Sequence, residues 1–330
     1  MKERGVVVEF VGSTSGIEQD LVPRAGYTLH AIPLAGFAGN PITQTRAALL
    51  SIRAIATCTR IIHQLRPREV LGVGGYASAP AVISARTLGV PTYLHEQNSV
   101  PGRLNRLASR FTRETLVTFP ETEGRLRNSI RVGMPTRTEI FGASRTEALR
   151  DLGLEPPVVF IFGGSGGALR INLAAEEAFK GATPYTVVHV SGRRDFSRLQ
   201  ADNPRHRILE YTGDLWQYLA AADVVVSRAG AGSLFDIAAA GKAAILIPFP
   251  FATGDHQMHN ARYFTENGAA EVMLDAEVGA GPLRRRVEAL LEDDERRRQM
   301  GRRMGDLATP GAAGEVAERL LRATEKEWEI

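Results

Sequence analysis

Residues 222–261 read ADVVVSRAGAGSLFDIAAAGKAAILIPFPFATGDHQMHNA, and this stretch constrains the fold more than any other. Its spacing predicts a buried strand over 223–227, a glycine loop over 228–232, a helix over 233–240, a second strand over 243–248 and a helix from near His256. Unbroken apolar runs, rather than alternation, mark strands covered on both faces of a parallel sheet. In such sheets ligands settle where strand C-termini meet helix N-termini. The unpaired N–H groups and partial positive charge of a helix N-terminus suit phosphate. Gly230 and Gly232 let the backbone approach a ligand closely. Asp236, in the first turn of the next helix, is placed to hold sugar hydroxyls. Two successive joints of this kind predict a nucleotide site.

At 330 residues the chain exceeds one ordinary core and predicts two domains. Its one cysteine, Cys58, forms no internal disulfide, which agrees with a reducing compartment. No apolar run approaches the roughly 20 residues that span a bilayer, and MKERGVVVEF lacks the apolar core of a signal peptide. A net charge of +3 is too mild to point to nucleic acid, and none is expected as a partner.

The second half alternates regularly, with further strands at 158–162, 185–190, 207–211 and 269–274 and helices at 214–221, 282–292 and 294–307. The first half repeats the scheme, with strands at 6–11, 28–32, 69–73, 91–95 and 114–118 and helices at 17–24, 43–65, 79–88 and 102–111. RVGMPTRT, at 131–138, marks a linker. The expected architecture is α/β, with two doubly wound parallel-sheet domains facing a cleft. They run over 1–136 and 137–311, and a terminal helix within 312–330 packs back on the first. MKERG reads as a helix end, basic residues followed by a stop glycine. On that reading a strand, a loop and most of a helix, roughly 30 residues, belong upstream. The alternative is a domain that starts here with a different strand order.

Three further motifs carry chemistry. GGSGGA, at 163–168, follows an apolar strand and reads as a phosphate cradle around Ser165. It also matches G-x-S-x-G, the hydrolase elbow, but Asp255 and His256 are adjacent and ill-suited to two links of one triad. GVGGYA, at 72–77, fits G-x-G-x-x-A with Glu96 downstream, a lone match to a nicotinamide-dinucleotide fingerprint. HEQN, at 95–98, closes a strand where substrate contacts are made, although His95 has an equally ready structural role. Asp255, His256 and His259 read as a helix cap with solvated histidines, and no metal or cofactor is expected. Arg46, Arg53 and Arg60 recur every seventh residue among Leu49, Ile52 and Ile55. This is a solvated amphipathic face or a basic, partly apolar surface that rests on anionic lipid. The arginine runs at 284–286 and 296–298 read as solvated faces.

Taken together, GVGGYAS, LHEQNSVPGRLNR, VGMPTR, FGGSGGALRIN, SRAGAGSLFDIAAAGKAAILIPFP and DHQMHNARYF resemble the MurG family. These are the UDP-N-acetylglucosamine:lipid-linked muramyl-pentapeptide transferases of peptidoglycan synthesis. The resemblance implies a GT-B fold, an inverting hexosyltransferase, and a peripheral place on the cytoplasmic face of the cell membrane. It implies UDP-N-acetylglucosamine and undecaprenyl-pyrophosphoryl-MurNAc-pentapeptide as substrates. For the sugar nucleotide it implies Asn98, Arg137, Ser165, the main chain of Thr212, the segment Ala231, Gly232, Ser233, Leu234, Phe235 and Asp236, then Gln257 and Asn260. Asp236 stands where the family resembles itself in a Glu, one methylene longer. Gly74, Gly75, Tyr76, His95 and Glu96 fall on the acceptor side. The family's first glycine loop, which bears a histidine proposed as base, has no counterpart in this sequence, so no catalytic base is assigned. The rival readings are a catalytically impaired UDP-sugar-binding remnant and a nicotinamide-dependent oxidoreductase.

Overall fold

The computed structural model describes residues 5–34, 41–164 and 167–325. The chain divides into two compact units, Met1–Gly133 with Gly314–Ile330, and Met134–Ala313.

The first unit runs β1 (Glu9–Ser13), α1 (Glu18–Arg24), β2 (Thr28–Ile32), α2 (Pro41–Leu65), β3 (Val70–Gly72), α3 (Gly75–Thr87), β4 (Thr92–Glu96), α4 (Arg103–Ala108), β5 (Glu114–Val117) and β6 (Ser129–Arg131). Every strand pair is parallel, but the strands form two sheets, β1-β2 and β3-β4-β5-β6. The sequence predicts a single doubly wound sheet here, and the difference has a definite geometry. Among the described residues no strand pairs with the second edge of β1 or of β3, and α3 packs on both strands. Ile32, Ala54 and Cys58 are buried together on one side, with Val11 and Ala81 against them. Val82, Leu94 and Ala108 form the adjoining cluster. Burial pushes the Cys58 thiol up to about 11.

The second unit runs α5 (Thr138–Phe141), α6 (Arg145–Leu152), β7 (Val158–Phe162), α7 (Leu169–Ala178), β8 (Thr186–Val190), β9 (His206–Leu209), α8 (Leu215–Ala221), β10 (Val224–Ser227), α9 (Ala231–Ala240), β11 (Ala243–Leu246), α10 (His256–Glu266), β12 (Ala270–Val272), α11 (Ala280–Glu292) and α12 (Asp294–Asp306). Its six strands are all parallel, in the order β12-β11-β10-β7-β8-β9. The pleat explains the continuous apolar runs. Val159 and Ile161 enter one cluster with Ile171 and Ala175 of α7 and Leu283, Val287 and Leu290 of α11. Phe160, between them in sequence, points to the other face and stacks on Tyr218 of α8, centroids 5.5 Å apart. Each such side chain contributes about 1.5–3 kcal/mol by leaving water.

The sequence reading misses β6, α5 and α6. β6 has three residues and α5 four, too short for periodicity to register. The signals for α6 are present: the Ser144 hydroxyl accepts from Glu147 N–H at 3.4 Å, and Gly153 ends the helix at φ +56°. The last helix, α13 (Ala312–Glu325), brings Val316 and Leu320 into a cluster with Tyr93, Leu116 and Val132. Arg319 adds an ion pair to Glu114 at 3.4 Å. Leu320→Ala is expected to destabilise the first unit by about 2–4 kcal/mol through the cavity it leaves. The measurement is the urea midpoint of that unit, followed through a probe placed in it.

Candidate functional site

From β7 the second unit's chain steps outward through β8 to β9, then returns to lay β10 on the other side of β7. Connections on opposite sides of β7 and β10 open a crevice at their C-terminal ends, the switch point where nucleotides bind in open α/β sheets. Two glycine-rich joints flank it. At the β7 joint, a Cβ on Gly163 would lie 2.5 Å from the Ala168 Cβ, and one on Gly167 would lie 2.6 Å from the Ser191 carbonyl. Gly167 also sits at φ +73°. Glycine is therefore required by both packing and conformation. Ser165 lies outside the described residues.

Helices α7 and α9 both begin at this crevice, and neither N-cap residue, Ala168 or Gly230, supplies a side-chain hydrogen bond. In α9 the first closing bond is Leu234 N–H to Gly230 O at 3.0 Å. The amides of Ala231, Gly232 and Ser233 thus stand outside the helical ladder, as the first turn of any helix requires. Leu234 and Phe235 are buried at 0% and 2% exposure, so the accessible part of this segment is its backbone together with half-buried Ser233 and Asp236. Burial pushes the Asp236 carboxyl up to about 6, and Arg137 pulls it partly back. Arg137, exposed at the start of α5, and Asp236 are therefore electrostatic neighbours. The Thr212 hydroxyl accepts from Asp214 N–H at 3.1 Å, three residues beyond the end of β9.

Beneath the crevice lie braces the sequence reading misses. Gln257 accepts from Ala229 N–H at 3.2 Å and Phe249 N–H at 2.9 Å with its one side-chain oxygen, tying the β10 joint to the β11 joint. Asn260 is fully buried and donates to Ala229 O at 3.3 Å. Its amide nitrogen fixes the loop from inside the fold. Arg228, 7% exposed, donates to Ile247 O and Pro248 O at 3.2 and 3.3 Å and pairs with Asp275 at 2.7 Å. Under the β7 joint, fully buried Asn172 donates to Ser191 O at 2.9 Å and Asp195 Oδ2 at 3.0 Å. It accepts from His189 Nε2 at 2.9 Å. An Asn on the apolar face of α7 is the one sequence signal that marks this network. Asp255 caps α10 without a side-chain bond, and the His256 Nδ1 lies 2.8 Å from Thr253 O.

In the first unit, the loop after β4 is wrapped round Glu96. Its carboxylate accepts from Asn98 N–H at 3.0 Å, Gly102 N–H at 2.9 Å and Asn105 Nδ2 at 2.8 Å. His95 is buried, with Nε2 3.0 Å from Gly133 O, and burial lowers its pKa below the ordinary histidine value. Both side chains are buried, and the Glu96 carboxylate shapes the loop that carries Asn98. Gly74 and Gly75, at φ +86° and +72°, turn the chain from β3 into α3. The side chain of Tyr76 lies outside the described residues.

These two units match two family models, the glycosyltransferase family 28 N-terminal domain over residues 1–117 and its C-terminal domain over 158–315. The chain belongs to glycosyltransferase family 28. Within it, the chain is 62% identical over 326 residues to the Rubrobacter xylanophilus protein named UDP-N-acetylglucosamine--N-acetylmuramyl-(pentapeptide) pyrophosphoryl-undecaprenol N-acetylglucosamine transferase, covering 98% of this chain and 97% of that one. A Pseudomonas fluorescens protein of the same name is 36% identical, covering 96% and 91%. The crystal structure of Acinetobacter baumannii MurG superposes with a TM-score of 0.74 at 27% identity, covering 97% and 92%. The resemblance read from the motifs holds, and so does the α/β fold of the GT-B class with two Rossmann-like units.

Two histidines of this family 28 chain sit where they resist protonation. Burial, with His206 stacked alongside, takes His189 down to about 3, and burial takes His206 down to about 4. Among the described residues, neither His189 Nδ1 nor His206 Nε2 has a hydrogen-bond partner. The unfolded chain binds their protons below about pH 6.5 and the folded chain does not. Stability therefore falls as pH drops from about 6.5 toward 4, by about 1.4 kcal/mol per pH unit for each histidine. Asp236, raised to about 6, acts in the opposite sense below pH 6. The readout is accordingly the difference between the wild type and His206→Gln, whose denaturation free energy is expected to show a shallower acid limb.

Proposed function

We propose that the chain transfers N-acetylglucosamine from UDP-N-acetylglucosamine to a lipid-linked muramyl-pentapeptide, the reaction its relatives' names describe. The observation that carries this is the pair of uncapped helix N-termini, α7 and α9, meeting at the switch point of one parallel sheet. Their amides face the position of a diphosphate and bear the charge that grows on it as the sugar departs. The acceptor hydroxyl attacks the anomeric carbon, the bond to the β-phosphate oxygen breaks, and UDP leaves with inversion. Arg137 adds positive charge beside the same helix. Asp236 takes the ribose hydroxyls, Ser165 the diphosphate and the Thr212 main chain the uracil edge. Gln257, its oxygen committed to Ala229 and Phe249, offers its NH2 to the sugar.

UDP affinity by calorimetry tests the donor site. Ser165→Ala is expected to weaken UDP by about five- to tenfold, the worth of one charge-assisted hydrogen bond. Between pH 7 and 5 the wild type is expected to lose affinity severalfold more than Asp236→Asn, because protonation near pH 6 removes the carboxylate that accepts from ribose. Unchanged affinity in both variants would sink the assignment. A second reading, UDP-sugar binding without turnover, draws on the enclosure of His95 and Glu96, which offers no base from that loop. Product formation from lipid-linked muramyl-pentapeptide, with the chain as it stands, separates the two.

The acceptor's lipid calls for a membrane surface, and we place it on α2. Among the described residues no helix is long and apolar enough to cross a membrane. On α2, Leu49 and Ile52 are 59% and 65% exposed, and Arg53 and Arg60 are exposed on the same side. The side chain of Arg46 lies outside the described residues. Apolar residues between arginines at helical spacing suit an interface rich in anionic lipid. Leu49→Glu with Ile52→Glu is expected to abolish cosedimentation with phosphatidylglycerol vesicles while leaving UDP affinity unchanged.

A further inference from the structure

A second concavity lies at the opposite end of the same sheet. It is a cavity of about 660 Å³ at the N-terminal ends of β10 and β11, bounded by α12 and the start of α6. Strands of four residues put it about 13 Å from the diphosphate edge. Its floor is glycine. A Cβ on Gly301 would lie 2.6 Å from Gly241 O, so α12 packs backbone against backbone here, and no side chain from Gly241, Gly301 or Gly305 fills the space.

Five cations line it, Arg145, Lys242, Arg297, Arg298 and Arg302, with one carboxylate, Asp223. Asp223 is engaged from two sides, accepting from both Arg145 NH2 at 2.8 Å and Val158 N–H at 2.8 Å. Arg297 is turned to the end of α11, donating to Leu290 O and Leu291 O at 3.0 and 2.7 Å and pairing with Asp294, which corrects its reading as part of a solvated face. Arg298 and Arg302 are exposed and share Glu295, at 3.4 and 3.3 Å, with Arg298 also 3.8 Å from Asp294. Counting those two acids, cations still outnumber acids by five to three. Lys242 is half-buried, and its ammonium donates to Ala220 O at 2.8 Å. Burial, then Arg145, lowers its pKa to about 8, with Asp223 opposing. A half-buried ammonium that lines a concavity with excess positive charge gains from an incoming anion.

We propose that this pocket is a second anion site of the unit, taking a phosphate group on Lys242, Arg298 and Arg302. The group is a phosphate monoester or inorganic phosphate, because a compact polyanion matches a lysine and two arginines lining one concavity better than a carboxylate does. The site is independent of the diphosphate crevice. A free phosphate compound or a lipid headgroup presents the same chemistry.

The chain has only four lysines, Lys2, Lys180, Lys242 and Lys326, so 13C-methylated lysines give few signals, and Lys242→Arg identifies the one that matters. Inorganic phosphate is titrated with UDP held saturating. The Lys242 signal is expected to shift saturably and its pKa to rise, with affinity about tenfold weaker in the Arg298→Gln, Arg302→Gln double variant. UDP affinity of that exposed double variant stays at the wild-type value, which shows that the fold is intact. Because the reporter is local, failure of UDP to bind leaves this readout valid. In a second arm, phosphatidic acid vesicles are offered to the Leu49→Glu, Ile52→Glu protein with and without the arginine changes. Vesicle binding that needs the arginines assigns the site to a headgroup, and response to free phosphate alone assigns it to a soluble compound. A Lys242 signal indifferent to phosphate, together with equal vesicle binding in both proteins, overturns the proposal.

Discussion

A helix that starts at the end of a parallel strand cannot satisfy its own first amides, and the second unit is organised around that deficit. The order β12-β11-β10-β7-β8-β9 brings two such starts, α7 and α9, to one crevice, and both lack a capping side chain. An isolated helix of this kind would draw a Ser, Thr or Asp cap. Leaving both ends bare keeps their positive ends available to a diphosphate. The surrounding polar network then reads as the means of holding those ends in place. Asn172 and Asp195 tie the first turn of α7 to the turn after β8, and Asn260, Gln257 and the Arg228–Asp275 pair pin the β10 joint.

The parts of this arrangement legible in sequence are those that depend on local pattern. VVFIF and DVVVS can only be strands buried on two faces, and the glycines after them mark close approach. Family motifs added the sugar-nucleotide chemistry. Distances across the chain left no such mark. Asn260 reads as one more polar residue on an amphipathic helix, yet the fold turns it inward to a carbonyl 31 residues away. Glu96 likewise looks like a free carboxylate beside a histidine until three donors from residues 98–105 close on it. Arginine 297 looks solvated in a run of three, and only tertiary contact shows it capping the preceding helix.

The first unit departs furthest from expectation, and its departure is orderly. β1-β2 and β3-β4-β5-β6 keep the parallel sense of one sheet, and α3 covers strands from both. Backbone N–H and C=O groups along the free edges of β1 and β3 lack a strand partner among the described residues. Such edges are the least protected part of any sheet against exchange with solvent.

The return of α13 onto β4, β5 and the residues after β6 also orders events in time. Arg319 meets Glu114 across 205 positions of chain, and Leu320 completes a cluster begun at Tyr93. During synthesis the second unit leaves the ribosome with all of its own strands and helices in hand, and is free to fold at once. The unit made first must wait, its apolar flank at Tyr93, Leu116 and Val132 uncovered, until α13 has followed the whole of the second unit out.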